Sequence, residues 1–213
     1  MSLCYPLLAI EGSSTHLSIA LFREPGSHVS LEWPADGLSH SQKILVLIDR
    51  FLREQKIKLS DIKSFAAPLG PGSFTSLRIV LATLMGLADT LSLPIYTCSS
   101  LEALALVSGE GYQAPFLKAG RGQVYCAAYA VKGHNVAILI PESVLMPADF
   151  ITGVQHLNES VSFCGPDPSL LENISVKLLS PLAWAVGVLA SQKQVLLDPH
   201  KLQINYLKAP DIG

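Results

Sequence analysis

The chain reads as an α/β fold of two unequal lobes, on three observations. First, the leading half runs strand–strand–strand–helix–strand–helix, and a shorter version of that order follows, which is the signature of layered α/β folds. Second, 49% of residues are hydrophobic, mean hydropathy is +0.39 and only 15% are charged. A typical soluble domain carries about 25% charged residues, so this chain can bury a sizeable core but has few charges to cover its outside. Third, 213 residues allow one large domain or two small lobes, at roughly 150 residues per domain. The Ser-Gly-Glu-Gly run at Ser108–Gly111 suggests the boundary. It divides the chain into an N-terminal lobe, 1–108, and a smaller C-terminal lobe, 109–213.

In chain order, Pro6–Ile10 reads as a buried strand and Glu11–Thr15 as a tight turn. His16–Phe22 alternates as a second strand, and Val29–Trp33 is a weaker third. His40–Lys56 has helical spacing, with Ile44, Leu47, Ile48, Phe51 and Gln55 on one face. Asp61–Pro68 is a strand, Leu69–Phe74 a glycine-proline turn and Phe74–Leu91 a second helix. Pro94–Thr97 is a short strand, after which Ser99 or Ser100 caps a third helix with Glu102 near its start. In the second lobe, Ala114–Lys118 and Gln123–Val131 read as a hairpin and Val136–Ile140 continues the sheet. A helix starts after Pro147, Ser160–Cys164 is a strand, and Pro181–Gln192 is a second helix for this lobe.

Several function classes drop out. Disorder needs low hydrophobicity or high net charge. Net charge is −2 with pI near 6.3, where a self-sufficient nucleic-acid binder needs a basic surface. No run approaches the roughly 20 apolar residues of a spanning helix, and Leu3–Ile10, broken by Pro6 and stopped by Glu11, lacks the basic start of a signal peptide. Cys4, Cys98, Cys126 and Cys164 form no Cys-x-x-Cys pair and no disulfide framework. They read as reduced core thiols of a cytoplasmic protein.

Candidate chemistry is sparse. Glu11-Gly12-Ser13-Ser14-Thr15 has the small residues and hydroxyls of a phosphate-holding turn, and equally those of a hairpin closed by Ser/Thr bonds. Gly70-Pro71-Gly72-Ser73 joins a strand to a helix, but lacks the Gly-Lys-Ser/Thr ending of a P-loop and the final Gly of a nucleophile elbow. Ser73 reads as an N-cap, with Pro71 and Gly72 fixing the sharp entry. His16, His28, His40, His134, His156 and His200 offer no pair at metal-ligand spacing. Lys118, Arg121 and Lys132 lie near one hairpin and read as a solvated edge.

The Phe74–Leu91 helix is more informative. Leu77, Val80, Leu81, Leu84, Leu87, Ala88 and Leu91 form a sheet-facing stripe. The opposite side holds Ile79, Ala82, Thr83, Gly86 and Thr90, with no charge between Arg78 and Asp89. A helix in a layered fold covers a sheet with one face and shows its back to solvent. A smooth, uncharged back therefore points to a partner helix. The His40–Lys56 stripe is broad, with Leu45 and Leu52 on a shoulder and Asp49, Arg50 and Arg53 on the polar back.

Two stretches carry a family resemblance: Leu8–Leu21, LAIEGSSTHLSIAL, and Leu69–Ala88, LGPGSFTSLRIVLATLMGLA. Supporting them are His40-Ser41, Ser99-Ser100-Leu101-Glu102-Ala103-Leu104, Gly122-Gln123-Val124-Tyr125 and Tyr206-Leu207-Lys208. Together they resemble the TsaB family, also called YeaZ, a subunit of the bacterial machinery that makes threonylcarbamoyladenosine in tRNA. The resemblance implies an actin/Hsp70/sugar-kinase-like (ASKHA, ribonuclease-H-like) fold with a reduced second lobe. It implies a non-catalytic paralogue of TsaD, the transferase, that pairs with TsaD as a heterodimer. TsaE, an ATPase, joins the larger complex, monomer and homodimer both stay open for the subunit alone, and tRNA is touched only indirectly. The implied contact region is the helical face at Leu45, Leu52, Ile79, Ala82, Thr83 and Gly86. No cofactor is implied for the chain itself, and a nucleotide at the junction with TsaD stays open. The rival readings are an active nucleotide-dependent transferase or kinase of the same fold, and a glycoprotease-like hydrolase.

The sequence departs from the family pattern at Glu11, usually Asp; Gly12, usually Thr; Ser76, usually Gly; Lys118, usually acidic; and Gln123, usually Glu. These changes bear on nucleotide chemistry at the Glu11–Ser14 turn and touch the apolar helices much less.

Overall fold

A computed structural model describes residues 3–33, 40–157 and 159–197, the side chains of 40–42 excepted. The Tyr206-Leu207-Lys208 stretch and His200 lie outside the described residues. The first unit consists of β1 (Leu7–Glu11), β2 (Leu17–Glu24), β3 (Ser27–Trp33), α1 (His40–Glu54), β4 (Ser64–Pro68), α2 (Phe74–Leu91), β5 (Ile95–Cys98) and α3 (Ser100–Ser108). The second consists of β6 (Gly111–Gly120), β7 (Gln123–Lys132), β8 (Asn135–Leu145), α4 (Pro147–Gln155), β9 (Val161–Gly165), β10 (Val176–Leu178) and α5 (Ala183–Lys193). A two-residue strand, β11 (Val195–Leu196), follows.

The two sheets share one plan. The first is ordered β11-β5-β4-β1-β2-β3 and the second β10-β9-β6-β7-β8. In each, an antiparallel three-strand meander is extended by two parallel strands on the side of its first strand. The weak repeat legible in the sequence is therefore a repeat of topology, strand for strand.

Alternation explains the continuous apolar runs, because strands covered on both faces need no polar side. Leu8, Ile10, Ile19 and Leu21 pack outward under α1 and α2, while Leu7, Ala9, Ala20 and Phe22 face the centre of the molecule. In the second sheet Phe116 and Cys126 pack under α4, and Leu117, Ala127 and Tyr129 face the centre.

The centre is filled by α3 and α5, which cross over. The helix that leaves the first sheet, α3, packs on β6, β7, β8 and β9, and α5, which leaves the second, packs on β1, β2, β4 and β5. Pro181–Gln192 was expected to be a second helix for the C-terminal lobe; it lies instead against the first sheet. The reason is composition. Ala183, Ala185, Val186, Gly187, Val188, Leu189 and Ala190 are all buried, and a helix that is apolar all round belongs inside a molecule. β11 then adds to the edge of the first sheet by pairing with β5.

Cys126 and Cys164 are buried core thiols, whereas Cys98 is half-buried and Cys4, ahead of β1, is exposed. Three smaller differences have local causes. The strand expected from Asp61 begins at Ser64, because Asp61 Oδ2 accepts the Lys58 N–H at 2.9 Å and closes a 3-10 turn over Leu59–Asp61. Leu52, expected on an outward shoulder of α1, is 3% exposed and packs with Phe51 and Ile62. Lys118 and Arg121 flank the β6–β7 turn, whereas Lys132 ends β7 at the far end of that strand. At about 3.3 Å per residue, a ten-residue strand separates them by roughly 30 Å, so they form no common patch.

The α5–sheet contact is tight enough to test. An added Cβ on Gly187 would sit 2.1 Å from a ring carbon of Phe22, which is itself 1% exposed. Gly187→Ala should destabilise the fold by roughly 1–3 kcal/mol through overpacking. Gly153→Ala on α4, with nothing near its Cβ, should not destabilise it. Denaturant midpoints of the two variants make the comparison.

Candidate functional site

Two turns meet where β1 and β4 end. Glu11, the last residue of β1, is fully buried. Its Oε1 accepts the Ser13 N–H at 2.8 Å, closing the turn on itself. Ser14 Oγ accepts the His16 N–H at 3.2 Å, and Ser13 O accepts the Ser73 N–H at 2.7 Å, tying this turn to Gly70–Ser73. Gly72 is required at that junction, since a Cβ there would lie 2.4 Å from Ser13 O. Gly12 is buried alongside. Ser73 caps α2 as expected, its hydroxyl accepting from the Ser76 N–H and donating to Ser76 Oγ at 2.9 Å. Gly70 O receives the Ser100 N–H at 2.9 Å, so the same turn also seats the start of α3.

A phosphate-holding turn works by aiming free N–H groups at an anion. Here the N–H groups of Ser13, His16 and Ser73 are committed within the protein. Burial pushes the Glu11 carboxyl up to about 7, the bond from the Ser13 N–H opposing the rise. Glu11 Oε2, Ser13 Oγ and Ser100 Oγ are buried without a hydrogen-bond partner.

Beside these turns lies a polar junction that the sequence reading did not assemble. Ser99, the N-cap of α3, donates its hydroxyl hydrogen to Glu142 of β8, and the Tyr129 hydroxyl donates to the same carboxylate oxygen at 2.9 Å. Glu102 of α3 pairs with Lys193 at the end of α5. Burial raises the Glu142 carboxyl, outweighing the bonds from Ser99 and Tyr129. Burial also pushes the Cys98 thiol up, and the nearby Glu102 and Glu11 carboxylates add to the rise. The network thus ties β7 and β8 to α3, and α3 to α5. Its one signal in the sequence was Glu142, a lone charge in an otherwise apolar strand. Among the described residues, no group of three or more His, Cys, Asp or Glu side chains is arranged to hold a metal.

The second feature is the outer face of α1 and α2. Five of the eighteen residues of α2 are buried: Leu77, Val80, Leu81, Leu84 and Ala88. Ala82 and Gly86 are exposed, and Ile79, Thr83 and Leu87 are half-buried. A Cβ on Gly86 would meet nothing within 4 Å. Thr83 and Thr90 turn their hydroxyls onto the helix's own carbonyls, those of Ile79 and Gly86, at 2.8 Å each, so methyl groups remain outward. On α1, Leu45 is 58% and Val46 67% exposed. A groove of about 330 Å³ runs between the helices, with Leu45, Leu59 and Leu87 among its lining residues and Asp49, Arg53 and Lys58 adding charge. Leu52 also lines this groove, but as a buried residue. By length and composition α2 could span a bilayer; in the structure its Leu77–Ala88 stripe packs on the first sheet instead.

The duplicated three-plus-two sheet with crossed central helices places the chain in the ASKHA, ribonuclease-H-like class. Two Pseudomonas aeruginosa structures share the fold. One, described as an uncharacterized protein with similarity to peptidase YEAZ, superposes with TM-score 0.80 at 24% identity, over 94% of this chain and 97% of that one. The other, YeaZ, gives TM-score 0.75 at 22% identity, over 92% and 96%. Residues 37–205 match the profile of TsaD, tRNA N6-adenosine threonylcarbamoyltransferase. The tRNA threonylcarbamoyladenosine biosynthesis protein TsaB of Bacillus subtilis (strain 168) is 32% identical, over 95% of this chain and 93% of its own length. TsaB of Escherichia coli (strain K12) is 30% identical over 65% of this chain and 64% of its own. The chain belongs to the TsaB (YeaZ) family of tRNA threonylcarbamoyladenosine biosynthesis proteins.

Glu11 provides a titration test. A carboxyl whose folded pKa is raised from 4.5 to about 7 binds its proton more tightly in the folded state than in the unfolded one. Its contribution to stability is full below about pH 4.5 and is lost as pH rises towards 7. Glu11→Gln keeps the Ser13 acceptor and cannot ionise. The stability difference, Glu11→Gln minus wild type, should therefore grow in favour of the variant between those pH values, measured by denaturant midpoints. A difference independent of pH would show that Glu11 ionises normally in the fold.

Proposed function

We propose that this chain is a non-catalytic subunit for threonylcarbamoylation of tRNA, which binds TsaD through the outer α1–α2 face and holds it in a competent shape. TsaE joins the pair in the larger complex, tRNA is touched only indirectly, and the assembly works in the cytoplasm. The observation that carries this reading is the bare back of α2. Ala82 and Gly86, one turn apart, are exposed, uncharged and small, which is the surface that lets a second helix approach closely. Leu45 and the groove beside it extend that surface onto α1. The committed N–H groups around Glu11 and Ser73 support a turn kept for structure, and Glu11 and Gly12 leave the family pattern in that turn.

Gly86→Arg tests the face. In the free chain the new side chain enters open space, and replacing a helix glycine stabilises by up to about 1 kcal/mol. In the complex, steric separation and a buried unpaired charge together cost on the order of several kcal/mol. An ordinary interface of about 800 Å² per partner does not absorb that. The expected result is a folded chain with a near-native melting temperature that no longer co-elutes with TsaD. Full-strength binding would place the contact elsewhere. In parallel, the purified chain alone should show no transferase or peptidase activity, and stoichiometric zinc or iron in a metal assay would count against the non-catalytic reading.

A further inference from the structure

The cations of this chain are unevenly placed. Of its 15 lysines and arginines, five fall between Arg50 and Lys63, so the end of α1 and the loop after it carry an outsized share of the positive charge. Two of the five are neutralised on the helix itself, Arg50 by Glu54 at 2.8 Å and Arg53 by Asp49 at 2.9 Å. Lys56, Lys58 and Lys63 are not, and the fold adds Arg23 to them. The Arg23 guanidinium donates to Gln55 O at 2.7 Å, beside Lys56. Arg23 follows Phe22, which pairs with Leu7 from one side, and Lys63 precedes Ser64, which pairs with Leu7 from the other. Two strand spacings, about 10 Å, therefore separate the backbones at Arg23 and Lys63. All four side chains are exposed, and among the described residues none of them forms an ion pair. Of the neighbouring carboxylates, Asp61 accepts the Lys58 N–H, and Glu24 adjoins Arg23.

We infer that this basic corner receives an acidic surface of the protein that covers the α1–α2 face, and steers that protein onto the face. The inference rests on the docking face proposed above and adds the charge that its occupant must bring. Two observations select an acidic protein. The first is continuity. Arg53 and Lys58 line the groove with Leu45, Leu59 and Leu87, and Lys56 lies between them in sequence, so the corner forms a rim of the same surface. The second is the division of labour between centre and rim. From Ile79 to Ala88 the face carries no charge, and long-range attraction towards it must come from its border. An apolar centre with unpaired cations along one side is complementary to an apolar helix flanked by Asp and Glu side chains. Unpaired cations also repel one another in the free chain, and an acidic partner relieves that repulsion on docking. A phosphate backbone fits less well. Glu24 and Asp61 interrupt the four cations, which opposes a continuous line of phosphates but leaves room for separate carboxylates. Charges at a rim act chiefly on the association rate, which steering raises by about 10- to 1,000-fold.

The measurement is the rate at which the chain and TsaD associate, followed at about 0.05 M and about 0.5 M salt, between which surface charges become screened. Lys56→Glu/Lys63→Glu changes two exposed side chains. It should slow association at low salt by about tenfold or more and leave dissociation within about twofold of the wild type. At high salt the difference in association rate should close. Lys56→Arg/Lys63→Arg, with the charge kept, should associate like the wild type, and both variants should melt with it. Gly86→Arg, run alongside, separates this inference from the docking face. If Gly86→Arg abolishes the complex while the glutamate variant associates at the wild-type rate, or if the wild-type rate is independent of salt, the acidic partner surface is overturned and the docking face stands. If Gly86→Arg binds at full strength while the glutamate variant is slowed, the docking face is overturned and the acidic surface stands at the end of α1. A glutamate variant that associates normally with TsaD but loses affinity for tRNA overturns the inference in favour of a phosphate backbone.

Discussion

The fold depends on how closely two sheets can approach a shared pair of helices. The central layer that α3 and α5 fill contains nine buried alanines, among them Ala9, Ala20 and Ala66 on the first sheet, Ala127 on the second, and Ala103, Ala105, Ala183, Ala185 and Ala190 on the helices. The layer under α1 and α2 has two, Ala67 and Ala88, and is built of Leu, Ile and Phe. Small side chains on facing surfaces let backbones approach until van der Waals contact is complete, as dense native packing requires. Gly187 against Phe22 is the extreme of that approach. Because each helix packs on the sheet of the other unit, neither half has a complete core alone, and the duplication is stable only as a pair.

That crossing also dictates where polar groups collect. The start of α3 and the end of α5 lie beside the carboxyl ends of the first sheet's parallel strands, the place where open α/β sheets hold ligands. Here the position is occupied by the protein's own groups. Ser99 and Tyr129 hold Glu142, and Lys193 holds Glu102. Glu102 is buried while Lys193 reaches it from the exposed end of α5, so removing Lys193 leaves a buried carboxylate without its cation, which is unfavourable. The junction therefore acts as a registration device: it holds β8 against the α3 cap and α3 against α5. Glu11 adds a buried carboxyl with one unpartnered oxygen to the same region.

Much of this was legible in the sequence. The order of elements, the span of α2, the Ser73 cap and the doubled unit follow from periodicity and local turn chemistry, which act within a few residues. What was missed depends on distant partners. Helix α5 was placed with the wrong sheet because its neighbours lie far away in sequence, although its lack of any polar face marked it as internal. Leu52 differs from Leu45 only in what the loop after α1 brings over it. The burial of Glu11 was not legible, because nothing local shows that Gly72 closes over Ser13. Glu142 lies beyond the Ile140 at which the strand was expected to end, and Ser99 and Tyr129 become its partners only through the pairing of β7 with β8 and the crossing of α3.

The back of α2 is a surface that the chain's own packing leaves unexplained. A solvent-facing helix side normally carries charge, and between Arg78 and Asp89 this one has none. Thr83 and Thr90 turn their hydroxyls inward to the Ile79 and Gly86 carbonyls, a bond that removes the donor from the surface and leaves a methyl outside. Arg78 lies over the Phe74 ring at 3.6 Å, at the start of the helix and clear of the Ala82–Gly86 stretch. A bilayer would suit the composition, but it would compete with the sheet for the Leu77–Leu84 stripe that the core already uses. A protein partner takes only the side that remains, and the smallest residues stand where its approach is closest.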